Sequence, residues 1–439
     1  MQGQTMSLRT WRGALIGAFL AISCGGEREA AFEDPSSQGD LELGLGLHGN
    51  GGQGPLPNWS TPTFANNAQV AEDGNQFFVA WSDWSRAGKL VAARVSVNGR
   101  LLDPDAIELN PNLRPDAYYH ATAFDGRQFL VIWTGERSVF LTRVNRDGTL
   151  DGDPITLFTP TDHNAVGSPG IACHKRKCLV AWIASGHTVS REVRGVTLDM
   201  GKPGLDVQEV VISRSQSTEF SSGISVAWSE DQYLVAWTDT RYGSHDIFAA
   251  RVRANGSVLD PNGFIISAAP GNQNYQSVTA TKYGFFVAWS DSRSGSADIY
   301  GTRLKRGSAN VQDPLGIRIS TASTTELSPR VASEGDEVLV SWSALTADTA
   351  RVRAARVKRN GDVRDRNGFA ISKGPANRQL LFGNVAYASG RYFIVYGRAP
   401  VMDEPPYQVM VGTRVKNDDV VDNPAIRISH APSVEQLAP

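Results

Sequence analysis

The sequence lacks the charge pattern of a nucleic-acid-binding protein and the long apolar runs of a membrane-spanning one. Its 43 Lys and Arg residues nearly balance 45 Asp and Glu residues, and no five like charges stand in a row. Nucleic acid is therefore not expected as a partner. The apolar stretch near the N-terminus, residues 13–22, is ten residues long, which is too short to cross a bilayer as a helix.

Signatures of catalysis and of metal binding are missing as well. The seven histidines are scattered, none in the paired spacing of a zinc site, and no Gly-x-Ser-x-Gly elbow of a serine hydrolase occurs. The closest approach to a calcium loop, residues 145–153, is followed by Pro154 where a bidentate Glu would be needed. We predict no catalytic residue, no metal-binding residue and no cofactor. Calcium binding is left as an alternative that no motif supports. The missing catalytic motifs favour a non-enzymatic protein over an enzyme.

The N-terminus is predicted to carry an export signal. Arg9 and Arg12 precede the apolar stretch, and Cys24 follows it, which is the order of a secretory signal peptide. The tetrapeptide at positions 21–24, Ala-Ile-Ser-Cys, resembles a bacterial lipobox. That resemblance implies that residues 1–23 are removed and that Cys24 receives acyl chains such as palmitate, which anchor the protein to a membrane.

The residue after Cys24 bears on the destination. It is Gly25, not the Asp that resembles an inner-membrane retention signal, so the resemblance implies an outer-membrane or cell-surface lipoprotein. If the signal is instead an ordinary one cleaved near Ser23, the protein is secreted or periplasmic. In either case residues 24–59, which are rich in Gly, Pro, Ser and acidic side chains, are predicted to be a flexible linker with a reach of roughly 30 Å.

Two further cysteines, Cys173 and Cys178, flank four residues at a predicted hairpin turn. In an exported protein they are expected to form a disulfide across that hairpin. A metal site is the alternative, but further ligands at a usual spacing are missing.

From residue 60 the sequence repeats itself. The stretch QYLVAWTDTRYGSHDIFAARV in one unit matches GFFVAWSDSRSGSADIYGTRL in the next, and such self-similarity indicates a repeat architecture. An anchor aromatic recurs seven times, at Trp81, Trp133, Trp182, Trp237, Trp289, Trp342 and Tyr396. The chain therefore contains seven units.

Each unit is predicted to form four short antiparallel strands. Asn-Gly or Asp-Gly pairs such as Asn98-Gly99 and Asp147-Gly148 mark the hairpin between strands three and four. The second strands are apolar at nearly every position, so both of their faces should be buried. A row of β-sandwich domains is the alternative, but seven units pair badly and the immunoglobulin Cys and Trp pattern is missing.

We therefore predict an all-β chain with a single seven-bladed β-propeller after a lipidated flexible linker. The propeller is expected to span residues 60–430, followed by a tail at 431–439. The approximate blades are 60–110, 111–159, 160–213, 214–267, 268–320, 321–372 and 373–430. The phrase VAWxDxRxGxxDIY…RV resembles repeat propellers of Gram-negative envelope and secreted proteins, and that resemblance implies the fold more than a function.

Asp and Arg residues recur at fixed places in the units. The aspartates are Asp83, Asp239, Asp246, Asp291 and Asp298, and the third-strand arginines are Arg94, Arg251, Arg303, Arg356 and Arg414. Carboxylates around a propeller mouth are one way to hold calcium. An Asp-to-Arg brace within each blade explains both residue types, and we expect these residues to be structural.

The loops between strands two and three share a face with the connections between blades, and loops are where function usually lies. The candidate binding face carries Arg86, Tyr118, Tyr119, His120, Arg241, Tyr242, His245, Tyr275 and Arg293. Aromatic and Arg side chains suit a protein or glycan ligand. The sequence thus favours an envelope lipoprotein that binds a protein or an envelope or extracellular glycan. The alternative is a carbohydrate- or peptide-active enzyme that uses carboxylates on this face.

Overall fold

The computed structural model describes residues 65–83, 89–111, 119–135, 137–160, 165–185, 191–215, 223–346, 349–372, 379–398, 409–417 and 419–429. The predicted signal peptide, the lipidation site Cys24, the linker and the tail 431–439 lie outside these residues. Within the described ranges, no helix is long and apolar enough to cross a membrane.

The first three blades are built from consecutive strands. Blade 1 has β1 (Ala65–Glu72), β2 (Gln76–Asp83), β3 (Lys89–Ser96) and β4 (Ile107–Glu108). Blade 2 has β5 (Tyr119–Phe124), β6 (Phe129–Gly135), β7 (Ser138–Val144) and β8 (Ile155–Phe158). Blade 3 has β9 (Ala165–Val166), β10 (Gly170–His174), β11 (Lys177–Ser185), β12 (Arg191–Asp199) and β13 (Asp206–Ser215), with β9 and β10 both paired to β11.

The other four blades repeat this order. Blade 4 has β14 (Ser225–Ser229), β15 (Gln232–Asp239), β16 (Asp246–Arg253) and β17 (Phe264–Ser267), and blade 5 has β18 (Gln273–Thr281), β19 (Gly284–Ser294), β20 (Ser296–Lys305) and β21 (Ile317–Arg318). Blade 6 has β22 (Thr325–Ser333), β23 (Glu337–Leu345), β24 (Ala350–Lys358) and β25 (Phe369–Ala370). Blade 7 has β26 (Gln379–Ala388), β27 (Arg391–Arg398), β28 (Val409–Lys416), β29 (Asp419–Val420) and β30 (Ile426–Arg427).

Burial of the second strands explains why the units stack. Every residue of β2, β6 and β15 is buried, as their unbroken apolar runs predict. Among the described residues, seven hydrophobic clusters form the core, and each contains buried residues of two blades that are neighbours in the ring. The predicted fold, a seven-bladed propeller of four-stranded antiparallel blades, is confirmed.

The propeller has two ends that differ in the connections they carry. We call the end with the strand 2–3 loops and the connections between blades the loop face. The opposite end, with the strand 1–2 and 3–4 turns, is the hairpin face. The turn glycines predicted from sequence adopt positive φ there, for example 88° at Gly99 and 90° at Gly148, a conformation that glycine adopts without steric cost.

Third-strand arginines join blades at the hairpin face. Five of them pair with an Asp beyond the 3–4 turn of their own blade, at N–O distances of 2.6–2.8 Å: Arg94–Asp103, Arg251–Asp260, Arg303–Asp313, Arg356–Asp365 and Arg414–Asp422. Each guanidinium also donates to a carbonyl of the next blade, as from Arg94 to Arg146 at 2.6 Å. A Cβ on Gly148 would lie 2.9 Å from Arg94, so this glycine leaves room for the contact.

These partners differ from those predicted from the sequence, which paired the third-strand arginines with aspartates such as Asp239. In blade 4, Asp239 lies opposite Asp246, whereas Arg251 lies opposite Leu234, five residues along the same strand. At about 3.4 Å per residue, Asp239 and Arg251 stand roughly 17 Å apart. The two residue types therefore belong to separate sets of contacts, one at each face.

The ring closes between blades 7 and 1 through side chains. All the described strands of blade 7 lie between residues 379 and 427. Phe77 of blade 1 stacks on Phe393 of blade 7 with ring centroids 4.7 Å apart, and Arg414 donates to the carbonyl of Val97 at 3.2 Å. The described closure is thus non-covalent, and it repeats the contacts found at other interfaces.

The predicted disulfide is confirmed. Cys173 and Cys178 are bonded to each other and lie directly opposite in the hairpin of β10 and β11. The bond closes the hairpin-face turn of blade 3, where Lys175 and Arg176 both adopt positive φ, at 46° and 62°. It therefore fixes a turn whose backbone is unfavourable for residues with a side chain.

Candidate functional site

The loop face of blade 4 carries a unit built around Asp239. This carboxylate is fully buried. It accepts hydrogen bonds from the indole Nε1 of Trp237 at 3.0 Å and from the backbone N–H of Arg241 at 2.9 Å. The Arg241 guanidinium pairs with the same carboxylate at 2.6 Å and lies 4.3 Å from the centroid of the Phe248 ring. Burial acts to raise the pKa of Asp239, but the hydrogen bonds that it accepts from Arg241 and Trp237 favour the ionised carboxylate. The pKa of Asp239 is therefore below its usual value.

Blade 5 repeats this unit around Asp291. Trp289 Nε1 donates to Asp291 at 2.8 Å, and the Arg293 guanidinium pairs with it at 2.5 Å. Arg293 lies 4.2 Å from the Tyr300 ring centroid and donates to the carbonyl of Leu315 at 2.7 Å. The carboxylate therefore fixes the anchor tryptophan and the loop arginine together, which is a structural role.

The carboxylate of this unit has a testable structural role. Replacing Asp291 by alanine would leave the Trp289 indole and the Arg293 guanidinium without their acceptor, at an expected cost of about 2 kcal/mol in unfolding free energy. Urea denaturation of the purified variant measures this loss. Glu209, an exposed carboxylate of β13, supplies the matched control as Glu209→Ala, which should change stability little. An Asp291→Ala protein as stable as the parent would contradict the assignment.

Blade 6 builds the unit from different residues. Ala344 stands where blades 4 and 5 carry the Asp, and Trp342 Nε1 donates instead to Glu326 of the innermost strand β22 at 2.9 Å. The Ser320 hydroxyl donates to the other oxygen of Glu326. Glu326 is fully buried, and burial raises its pKa to about 7. Both oxygens of this carboxylate thus accept hydrogen bonds from the protein itself.

The remaining predicted acidic residues are also enclosed. Asp83 and Asp246 are buried, and Asp246 accepts from the Ser244 hydroxyl at 3.1 Å. Asp298 pairs with Arg318 at 2.6 Å and accepts from the Ser294 hydroxyl. Among the described residues, no three His, Cys, Asp or Glu side chains form a group that could hold a metal ion.

The structure separates the candidate binding residues into exposed and enclosed ones. Arg86 and Tyr118 lie outside the described residues. Tyr119 and Tyr242 are exposed, at 48% and 66%. Tyr275 is half-buried in a bulge of β18 at φ 58°, and burial raises its pKa to about 12. The guanidinium groups of Arg241 and Arg293 are held inside their own blades by the contacts described above.

The two histidines of the candidate binding face are not surface residues. His120 is 1% exposed because it lies between blades 1 and 2, where its Nε2 is 3.2 Å from the carbonyl of Ala80. Burial lowers its pKa to about 4. His245 is also buried, and its backbone carbonyl accepts from the N–H of Gln273 in the next blade at 2.7 Å. His120 and His245 therefore join blades and do not present their imidazoles to a ligand.

Three large apolar side chains are exposed on blades 4 and 5 near the loop face. Tyr242 lies 6.0 Å, centroid to centroid, from the buried Phe248, and Ile265, 42% exposed, is the cross-strand neighbour of Phe248. In blade 5 Leu315, whose carbonyl receives the Arg293 hydrogen bond, is 81% exposed. We call Tyr242, Ile265 and Leu315 the apolar rim.

Sequence reasoning missed two kinds of residue. One is the set of aspartates that pair with the third-strand arginines; a repeated Asp-Pro step at Asp103, Asp260 and Asp313 was the available signal. The other is Glu326, for which the only signal was the absence of an Asp at Ala344. Of the apolar rim, Tyr242 belongs to the predicted binding face. Ile265 and Leu315 gave no signal, because exposure of single apolar residues follows from packing and not from their order in the chain.

Comparison with known proteins supports the fold alone. No protein-family model matches the sequence, and no curated protein matches it. A puromycin-hydrolyzing peptidase from Mycobacterium tuberculosis superposes with a TM-score of 0.53 at 11% identity, over 87% of this chain and 58% of the peptidase. The β-propeller domain of the Trilobed protease from Pyrococcus furiosus gives 0.47 at 10% identity, over 82% of this chain and 100% of that domain. A putative TolB from Agrobacterium tumefaciens gives 0.35 at 15% identity, over 60% and 82%. The chain thus spans 58% of the length of the first of these proteins.

Proposed function

We propose that this protein is a non-enzymatic, lipid-anchored envelope protein whose loop face binds a protein or an envelope glycan. The observation that carries the proposal is the contrast on blades 4 and 5 between buried acidic side chains and exposed apolar ones. The carboxylates Asp239 and Asp291 are buried in structural pairs, whereas Tyr242 and Leu315 face solvent. Exposed aromatic and aliphatic side chains beside a polar surface are typical of binding interfaces.

The alternative, a hydrolase that uses carboxylates of this face, has weaker support. A carboxylate that attacks or protonates a substrate must come within hydrogen-bond reach of it. Asp239, Asp291, Asp298 and Glu326 are all fully buried, and each accepts hydrogen bonds within the blades. The superposed peptidase likewise supplies no argument for catalysis, since an identity of 11% bears on the fold alone.

The apolar rim gives a direct test of binding. In the cells that produce the protein, a photo-crosslinking amino acid placed at Tyr242 should yield a discrete adduct, because an anchor aromatic lies at the centre of a contact. The same amino acid at Asp362, in the 3–4 turn of blade 6 at the hairpin face, is the matched control and should yield none. For glycans, Tyr242→Ala should weaken binding to an immobilised envelope polysaccharide at least tenfold, about 1.4 kcal/mol. Adducts of equal yield at both positions, together with unchanged glycan binding, would contradict the proposal.

Anchoring is a separate part of the proposal, and it rests on the N-terminal sequence. Acylation of Cys24 would hold the propeller at the outer membrane or cell surface, since two acyl chains suffice for stable attachment. Metabolic labelling with a palmitate analogue should mark the parent protein and leave Cys24→Ser unmarked and released from the membrane fraction. Release of both proteins would instead support the secreted or periplasmic alternative.

A further inference from the structure

One blade interface at the hairpin face keeps the third-strand arginine but lacks the acceptor carbonyl that this arginine finds at five other interfaces. At the interface of blades 1 and 2, two donors converge on a single oxygen: Arg94 and Gln76 both donate to the carbonyl of Arg146, at 2.6 and 2.8 Å. Four other interfaces keep the arginine contact, at 2.8–3.2 Å. An acceptor oxygen at this position is therefore part of the repeat.

The interface of blades 2 and 3 keeps the donors and loses the oxygen. Arg143 occupies the third-strand position, but it donates to the carbonyl of Asp151 in its own blade at 2.6 Å and pairs with the Asp151 carboxylate at 3.2 Å. Its buried Nε has no hydrogen-bond partner. Gln128, the counterpart of Gln76, is 1% exposed, and its Nε2 also has no partner. Gln232 of blade 4 is unpaired in the same way although Arg251 finds a carbonyl at its interface, so the unpaired Arg143 is what distinguishes blades 2 and 3. A buried amide N–H₂ without an acceptor is costly.

An open cleft of about 690 Å³ lies at this interface. We call it the blade 2–3 cleft. Its charged lining residues are Arg127, Arg143, Arg176, Lys202 and Asp151, four cations against one anion. The chain of blade 3 turns through residues 200–205 along one side of the cleft and supplies no carbonyl to Arg143 or Gln128.

Arg176 reaches the cleft from the disulfide-closed turn of blade 3. Its NH1 lies 3.5 Å from Asp125 but has no hydrogen-bond partner, and its NH2 donates to the carbonyl of Met200. At the rim, Lys202 pairs with Asp206 at 2.5 Å, and Arg127 is exposed. Two donors at this interface thus remain without a partner, Arg143 Nε and Gln128 Nε2, while Arg176 lines the cleft and keeps its ion pair with Asp125.

We propose that the blade 2–3 cleft binds an oxyanion, a carboxylate or a phosphate, borne by a small molecule such as an acidic or phosphorylated sugar. Its oxygens take the place of the carbonyl found at five other interfaces. A cleft of this volume accommodates a small molecule and exceeds what a bare ion fills, and guanidinium groups match carboxylate and phosphate geometry. The site lies at the opposite end of the propeller from the loop face, so its test is independent of the proposed function.

The test is calorimetric titration of the full-length chain carrying Cys24→Ser with glucuronate, glucose 6-phosphate, inorganic phosphate and glucose. Binding of glucuronate alone identifies a carboxylate site, and binding of the two phosphates identifies a phosphate site. In either case glucose should not bind. No binding of any acidic probe at 10 mM, roughly the weakest affinity of functional interest, would overturn the proposal.

Two variants link binding to the cleft. Gln128→Met keeps the shape of the side chain and removes the unpaired amide, so it should weaken binding of the acidic probe at least tenfold without lowering the melting temperature. Arg176→Ala should weaken binding to a similar extent. Lys358→Ala, which removes an exposed cation at the hairpin end of blade 6, is the control and should leave the affinity unchanged. Equal affinities in all three variants would place the probe elsewhere and overturn the proposal.

Discussion

Replacing Phe77 by alanine is expected to lower the unfolding free energy by about 3–5 kcal/mol and to open the ring between blades 7 and 1. Phe77 is fully buried and stacks on Phe393 across this interface. The ring of Phe393 in turn packs so closely on Gly412 that a Cβ there would lie 2.3 Å from it. Because the described contacts of this interface are side-chain contacts, a cavity here removes much of what holds the ends of the propeller together.

The neighbouring residue supplies a matched control. Phe78 is equally buried and stacks on Phe129 of blade 2, also at 4.7 Å. Phe78→Ala should lower stability by a similar amount. Blades 1 and 2 are consecutive in the chain, however, so a short connection keeps them at high effective concentration after the contact weakens. The two substitutions remove the same side chain and differ only in the interface they damage.

Hydrogen exchange followed by mass spectrometry distinguishes the two variants. Phe77→Ala should accelerate exchange in β1, β26 and β27 under native conditions, since opening of the ring exposes these strands without global unfolding. Phe78→Ala should accelerate exchange chiefly in β2 and β6. If both variants exchange fastest in the same strands, the interface of blades 7 and 1 is no weaker than the others and this account of the ring is wrong.

The sequence predicts the fold well because each repeat carries the same pattern of apolar strands and turn residues. The apolar second strands require cover on both faces, and the turn glycines mark the hairpins, so seven similar units lead to seven stacked blades. The same repetition misled the assignment of contacts. Asp239 and Arg251 recur together in the chain, but strand register places them at opposite ends of the blade. The distance between two residues of a blade depends on strand register and strand length, and neither can be read from the recurrence of residue types.

The candidate sites are less visible in the sequence because they arise where the repeat is broken. Blade 6 loses an Asp at Ala344 and recruits Glu326 from another strand. Blade 3 carries Thr197 opposite Leu179, where other blades place the bridging Arg, and the cleft toward blade 2 has no carbonyl for Arg143. Each departure leaves a neighbour without its usual partner. The three-dimensional contacts show that the Trp342 indole finds Glu326 instead and that Arg143 Nε finds no partner.

Glu326→Gln is expected to stabilise the protein at alkaline pH and to leave it unchanged in acid. Burial raises the pKa of Glu326 from its ordinary value of 4.5 to about 7, so the folded state holds a proton that the unfolded state has released. The stability that this group contributes is complete below pH 4.5 and is lost as the pH rises through about 7. The loss amounts to about 3 kcal/mol. Glutamine stays neutral and keeps an acceptor oxygen for the Trp342 indole. The variant should therefore keep its unfolding free energy as the pH rises.

Chemical denaturation of the parent and the variant between pH 4.5 and pH 8 measures this effect as a difference. The difference isolates Glu326, because every other titrating group is common to both proteins. It should be near zero at pH 4.5 and reach about 3 kcal/mol in favour of the variant at pH 8. Glu209→Gln removes an exposed carboxylate of β13 and should show no such trend. A difference for Glu326→Gln that does not vary with pH would mean that the carboxylate is ionised throughout. The Trp342 and Ser320 hydrogen bonds would then outweigh the cost of burying its charge.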